Sequence, residues 1–181
     1  MPLDTARGAL FRKTWTLVFA ILLAGHGVIG AAVAQTADTV CGKPEVIDAD
    51  ILKFGLQRVI LWGIDAPEKR QTCQANGALW GCYDASRRYL ELLAGRGEVT
   101  CKLQGDPDPF GRRFGICESG GQDLNAEMVK AGLALAYDDQ SDMYDAAMAD
   151  AITAAVGLWQ PGVNFEEPWV FRMRETPGGF R

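Results

Sequence analysis

The stretch RVILWGIDAPEKRQTC, residues 58–73, decides how this chain is read. Its first half alternates. Arg58, Ile60 and Trp62 fall on one face of an extended segment, and Val59 and Leu61 on the other. Its second half stops the strand at Gly63 and Pro67, with Asp65 and Glu68 flanking Ala66-Pro67. An acid ahead of Ala-Pro is by itself an ordinary turn residue. Two acids at a strand end also suit hard cations such as Ca²⁺ or Mg²⁺, which take oxygen ligands. The rest of the chain decides between these readings.

Upstream, EVIDADILKFG (45–55) is a β-rich segment joined to RVILW through the short link Phe54-Gly55-Leu56. Downstream, YDASRRYLELLAG (83–95) is predicted to be a helix with Ala85, Tyr89, Leu92 and Leu93 on its apolar face and Gly95 at its end. EVTCKL and RRFGIC flank the turn-rich GDPDPFG as the arms of a hairpin from about 97 to 118. QDLNAEMVKAG reads as a short helix closed by Gly132. SDMYDAAMADAITAAVG reads as a longer one capped by Asp142 and followed by Gly157. Its stripe is Tyr144, Ala147, Ala151, Ala154 and Leu158. The tail PGVNFEEPWVFRMRETPGGFR is rich in Pro and Gly and is expected to be irregular, anchored by Phe165, Trp169 and Phe171. Strands grouped ahead of helices indicate an α+β domain: about five strands curled into a small barrel with helices against it.

Of the 181 residues, 1–34 read as an export signal: Arg7, Arg12 and Lys13, then an apolar run ending in Ala32-Val33-Ala34. The alternative is an uncleaved inner-membrane anchor, since the run has about the length that spans a bilayer. The exported reading leaves a short segment at 35–43, a domain over 44–160 and a tail at 161–181, periplasmic or secreted and not inserted in the membrane. The chain's net charge is −5, and the leader carries three bases against one acid, so the remainder is more acidic still. Such a surface does not coat nucleic acid through a broad basic face, though it leaves room for a local basic site.

The single histidine, His26, lies in the leader. A mature protein without histidine has no Ser-His-Asp triad, no Cys-His pair and no histidine-bound zinc. The five cysteines all follow the leader and, in an exported protein, read as disulfide partners. Cys101 and Cys117 mirror each other across the hairpin turn, where cross-strand side chains are close enough to bond. That closure contributes about 3 kcal/mol in the chain-entropy model. Cys73 and Cys82 would close a short loop, leaving Cys41 free or partnered elsewhere.

Three features gather near the strands: Asp48 and Asp50 in IDADI, Asp65 and Glu68 in GIDAPE, and the arginine of DPFGR. Carboxylates on strand ends can hold a metal and activate a water, and an arginine can neutralise charge developing on a phosphoryl group. With histidine excluded, this is one of the few phosphodiester chemistries still open.

In order and spacing, DADI (48–51), ILWGIDAPE (60–68), DPFGR (108–112), GLALAY (132–137) and GLW (157–159) resemble the thermonuclease (staphylococcal nuclease-like) family, particularly its exported bacterial members. FEEPWVFR is similar to the family's tail. The resemblance implies an OB-fold-like five-stranded barrel with about three helices, a monomer acting on DNA or RNA, and Ca²⁺ as cofactor. By position it assigns Asp50, Asp65 and the carbonyl of Ala66 to the metal, Glu68 to the general base and Arg112 to the phosphate. Asp48 and Asp108 stand as supporting acids.

Three departures are visible. Ala49 replaces a glycine and Ile51 a threonine. Ile60 stands where the pattern has a second phosphate-clamping arginine, and Arg58, two residues away on the same face, is the nearest substitute. The loss of a catalytic arginine costs about 10³–10⁵ in rate, so activity is expected to be reduced or lost. The alternative is an inactive member kept as a binding or envelope-interaction module.

Overall fold

A computed structural model describes residues 38–175; the leader expected at 1–34 lies outside the described residues. Four strands open the domain: β1 (Thr39–Gly42), β2 (Glu45–Asp48), β3 (Ile51–Phe54) and β4 (Gln57–Leu61). The short β5 (Ile64–Asp65), β6 (Cys73–Ala75) and β7 (Ala78–Trp80) lead into helix α1 (Cys82–Ala94). Then come β8 (Val99–Gln104), β9 (Arg113–Ser119), β10 (Gln122–Asp123), α2 (Leu124–Lys130), β11 (Leu135–Ala136) and α3 (Asp145–Thr153). A 3₁₀ turn at Gly157–Trp159, β12 (Val163–Asn164) and α4 (Pro168–Glu175) complete it.

The fold is α+β and OB-like. Its main sheet runs β1-β8-β9-β4-β3-β2, with β10 on β9. All these pairings are antiparallel except β4 with β9. The main sheet has seven strands where about five were expected to curl into a small barrel, and four α-helices are present among the described residues where about three were expected. Leu52, Val59, Leu61 and Ile64 from the strands meet Leu90, Leu93, Leu124, Met128 and Val129 from α1 and α2 in one core.

Four local expectations are corrected. EVIDADILKFG is a hairpin in itself, because Ala49-Asp50 turns the chain between β2 and β3. Helix α1 buries Ser86, Leu90 and Leu93, not Leu92, which is 60% exposed. The hydroxyl of Ser86 donates to the Leu133 carbonyl at 2.6 Å, which lets a polar residue occupy the core face. Helix α3 begins at Asp145 after Tyr144, so Asp142 is not its cap; the Asp142 carbonyl instead accepts from the Asp145 amide. The tail is not irregular throughout. Pro168 stands in the first turn of α4, where a missing N–H costs nothing, and the carbonyl of Glu167 accepts from the amides of Val170 and Phe171.

Cys101 and Cys117 face each other in register and are bonded, as are Cys73 and Cys82; Cys41 is a free, exposed thiol. The Cys73–Cys82 bridge is the centre of a satellite cluster with Leu135 and Leu158, onto which Trp159, Phe165 and Trp169 pack. Trp169 lies 5.4 Å from the Tyr137 ring, so the tail helix is fixed to the body by an aromatic anchor.

Gly132 and Gly157 cross at backbone contact. Both have positive φ (65° and 58°), and a Cβ on either would collide with the other's strand of chain. The Leu158 amide donates to the Gly132 carbonyl at this crossing.

Candidate functional site

The turn of the first hairpin sets the acidic wall. Asp48 closes β2, and its Oδ1 accepts from the Ala49 amide at 2.9 Å. Ala49 has no positive φ, so the backbone accepts it in place of glycine without strain. The Asp50 carbonyl accepts from the Leu61 amide at 2.9 Å and so holds this turn against the end of β4. Burial raises the Asp48 pKa, neighbouring Asp50 adds to it, and the Tyr83 hydroxyl on α1 hydrogen-bonds the carboxylate. Tyr83 is pushed up to about 12 by burial and by that acid.

The GIDAPE segment forms the floor. Asp65 lies on β5 opposite Leu135 and is fully buried; Ala66 is buried beside it. Gln71 holds the turn by two bonds. Its Oε1 accepts from the Glu68 amide at 2.8 Å, and its amide donates to the Glu68 carbonyl at 2.8 Å. Its Nε2 donates to the Glu166 carbonyl at 2.7 Å, which ties the turn to the chain just ahead of α4.

Arg112 comes from the hairpin turn and is placed by Asp108. One carboxylate oxygen accepts from the amides of Phe110 (2.9 Å) and Arg112 (2.8 Å), the other from Arg112 Nε at 2.6 Å. Burial works against the Asp108 charge, but these bonds outweigh it and hold its pKa below the usual carboxylate value.

These segments converge. Asp48, Asp50, Ile51, Ile60, Glu68, Arg112 and Arg172 line one cleft of about 110 Å³. Arg58 is exposed on β4, outside that lining, and Lys53 faces it across the strands. Ile51 and Ile60 are cross-strand partners, so the two apolar departures form one patch of the wall.

Arg172, on α4, was not among the residues singled out from the sequence. Its guanidinium grips Asp65 with both terminal nitrogens, Nη2 to Oδ2 at 2.9 Å and Nη1 to Oδ1 at 3.4 Å. Nη1 also donates to Glu68 Oε1. Burial alone would lower the Arg172 pKa, but Asp65 and Glu68 outweigh it and raise it. Glu68 is pushed up to about 7 by burial and by Asp50, against the pull of Arg172. The signal that points to Arg172 is the helix start of the tail, two glutamates followed by proline.

Three carboxylates, Asp48, Asp50 and Glu68, line the cleft, and Asp65, which does not line it, is joined to it through Arg172. Hard oxygen donors of this kind suit a cation such as Ca²⁺. Among the described residues, no group of three or more His, Cys, Asp or Glu side chains is arranged to hold a metal ion.

A family model described as staphylococcal nuclease homologue matches residues 58–161. The chain is also 30% identical over 163 residues to the succinoglycan biosynthesis protein ExoI of Rhizobium meliloti (strain 1021), covering 88% of this chain and 82% of that protein.

Proposed function

The chain belongs to the staphylococcal nuclease homologues, and on that footing we propose that it hydrolyses phosphodiester bonds of DNA or RNA in a Ca²⁺-dependent reaction, at a reduced rate. One observation carries this reading: Asp48, Asp50, Glu68 and Arg112, from three separate stretches of chain, line one cleft. In this scheme Glu68 accepts the proton of the attacking water, and its raised pKa of about 7 matches a base working near neutral pH. Arg112, preset by Asp108, donates to the phosphoryl oxygens where charge accumulates. Asp50, Asp65 and the Ala66 carbonyl would hold Ca²⁺, which when bound supplies Lewis acidity to the water and the phosphoryl group. The reduced rate is ascribed to the Ile51–Ile60 patch, which cannot donate a hydrogen bond to phosphate.

Two disulfides support an oxidising compartment, periplasmic or extracellular. No helix among the described residues is long and apolar enough to cross a membrane.

A second reading is a non-catalytic binding module of the cell envelope. It is favoured by the engagement of Asp65 with Arg172 and by the polysaccharide-related name of ExoI. Cleavage of single- and double-stranded DNA and of RNA, with calcium or with chelator, separates the two. The hydrolase reading expects calcium-dependent cleavage in the wild type, lost in Glu68→Gln. Equal traces for both proteins would leave the binding module standing.

A further inference from the structure

We propose that Arg172 is an internal counter-cation that competes with metal for Asp65 and Glu68, and that its guanidinium, once released from them, serves the phosphate in place of the one absent at residue 60. This rests on the reading of those acids as a cation site.

The first ground is charge. Asp65 is fully buried, and a buried carboxylate is tolerated only when paired. Arg172 bonds both of its oxygens, so a divalent ion would compete with the guanidinium for the same two atoms. The bidentate fork is the geometry in which guanidinium holds carboxylate most firmly. Arg112 does not duplicate it, because its Nε is bonded to Asp108.

The second ground is position. Arg172, Arg112, Ile51 and Ile60 line the same cleft. The helix that carries Arg172 is also held away from the acids, by Trp169 against Tyr137, while Gln71 ties the chain ahead of it to the turn of Glu68. Leaving Asp65 therefore does not require the helix to leave the body. A long arginine side chain changes rotamer while its Cα stays in place, and the Ile51–Ile60 patch, which has no donor, lines the same cleft. Metal and Arg172 are thus mutually exclusive on Asp65 while metal and phosphate binding become coupled through Arg172, a coupling that is reciprocal.

The test uses calcium alone as probe. Calorimetry is expected to show Arg172→Gln binding calcium about tenfold more tightly than the wild type, within the usual range for coupled sites. The same variant should melt lower without metal and show a larger calcium-induced rise in melting temperature. Unchanged or weaker calcium binding in a folded Arg172→Gln overturns the proposal. If that variant does not fold, the Nε–H NMR signal of Arg172 in the wild type, assigned by its loss in Arg172→Lys, replaces it. A shift on adding calcium supports the exchange, and a signal indifferent to calcium overturns it. With calcium present, Arg172→Gln should also bind an oligothymidylate more weakly than the wild type, and equal affinity overturns the phosphate role. Tighter calcium binding in a protein that cleaves nothing would sink the hydrolase reading and leave the competition standing. Calcium-dependent cleavage with unchanged calcium affinity in the variant would do the reverse.

Discussion

Arg112 and Arg172 stand in one cleft but are held there by opposite means. Arg112 belongs to a self-contained turn, bonded to an acid four residues earlier in the chain. Arg172 reaches acids 104 and 107 residues away and is carried by a helix whose place depends on Trp169, Tyr137 and Gln71. A guanidinium preset by its own turn is a fixed part. One borrowed from the far end of the chain can change partners without disturbing the sheet, and its position is only as secure as the packing beneath its helix.

Substitutions that strike one side and spare the other test this contrast. The largest effect is expected from Arg112→Ala, which removes a donor aimed at transition-state charge and should lower cleavage about 10²–10³-fold; a near-normal rate would mean that Arg172 alone suffices. Trp169→Ala should come next. Truncating a half-buried aromatic costs about 2–3 kcal/mol, read as a lower urea midpoint. Calcium affinity should move in the direction expected for Arg172→Gln, because α4 loses its seat. An unchanged affinity would show that Arg172 does not need that anchor.

A smaller effect is expected from Asp108→Asn. It keeps an acceptor for the two amides but loses the charged partner of Arg112, at about 1–2 kcal/mol, so cleavage should fall about tenfold with calcium affinity unaltered. If calcium affinity also falls, the two halves of the cleft are not independent.

The smallest is a pH effect. Glu68 in the metal-free protein titrates near 7 rather than at its ordinary value of 4.5. The folded state therefore holds a proton that the unfolded state has lost across that interval. The resulting stabilisation is complete below about 4.5 and disappears as pH rises through 7. Melting temperature should accordingly decline from pH 5 to pH 8 by more in the wild type than in Glu68→Gln, and parallel profiles would contradict the assignment. Arg172→Gln should move the titration upward, since Arg172 is the group that pulls it down.

The same contrast separates what the sequence makes legible from what it hides. The cysteine hairpin is readable because it is a local pattern with a local cause. The acids of GIDAPE and DADI and the arginine of DPFGR are ambiguous singly and become legible through their order and spacing along the chain. The face of α1 is misjudged by one position because Ser86 enters the core through a partner, Leu133, that periodicity does not reveal. Helix α4 escapes notice because glycine and proline around it outweigh the start signal at Pro168, and Arg172 escapes with it. Gln71 is equally hidden, since its second bond joins residues 95 positions apart. The apolar residues at 51 and 60 stand singly in the sequence; only the strand register makes them one surface.

The crossing of Gly132 and Gly157 has a bearing on all of this. The two glycines look like punctuation of neighbouring helices, yet they are the point where the chain, having finished the body, is aimed toward its tail. A single methyl group there would run into opposing backbone, so the two segments of chain could not keep their present approach. Like the pivot of a balance, the crossing touches neither load, yet the segment that ends in Arg172 sets out from it.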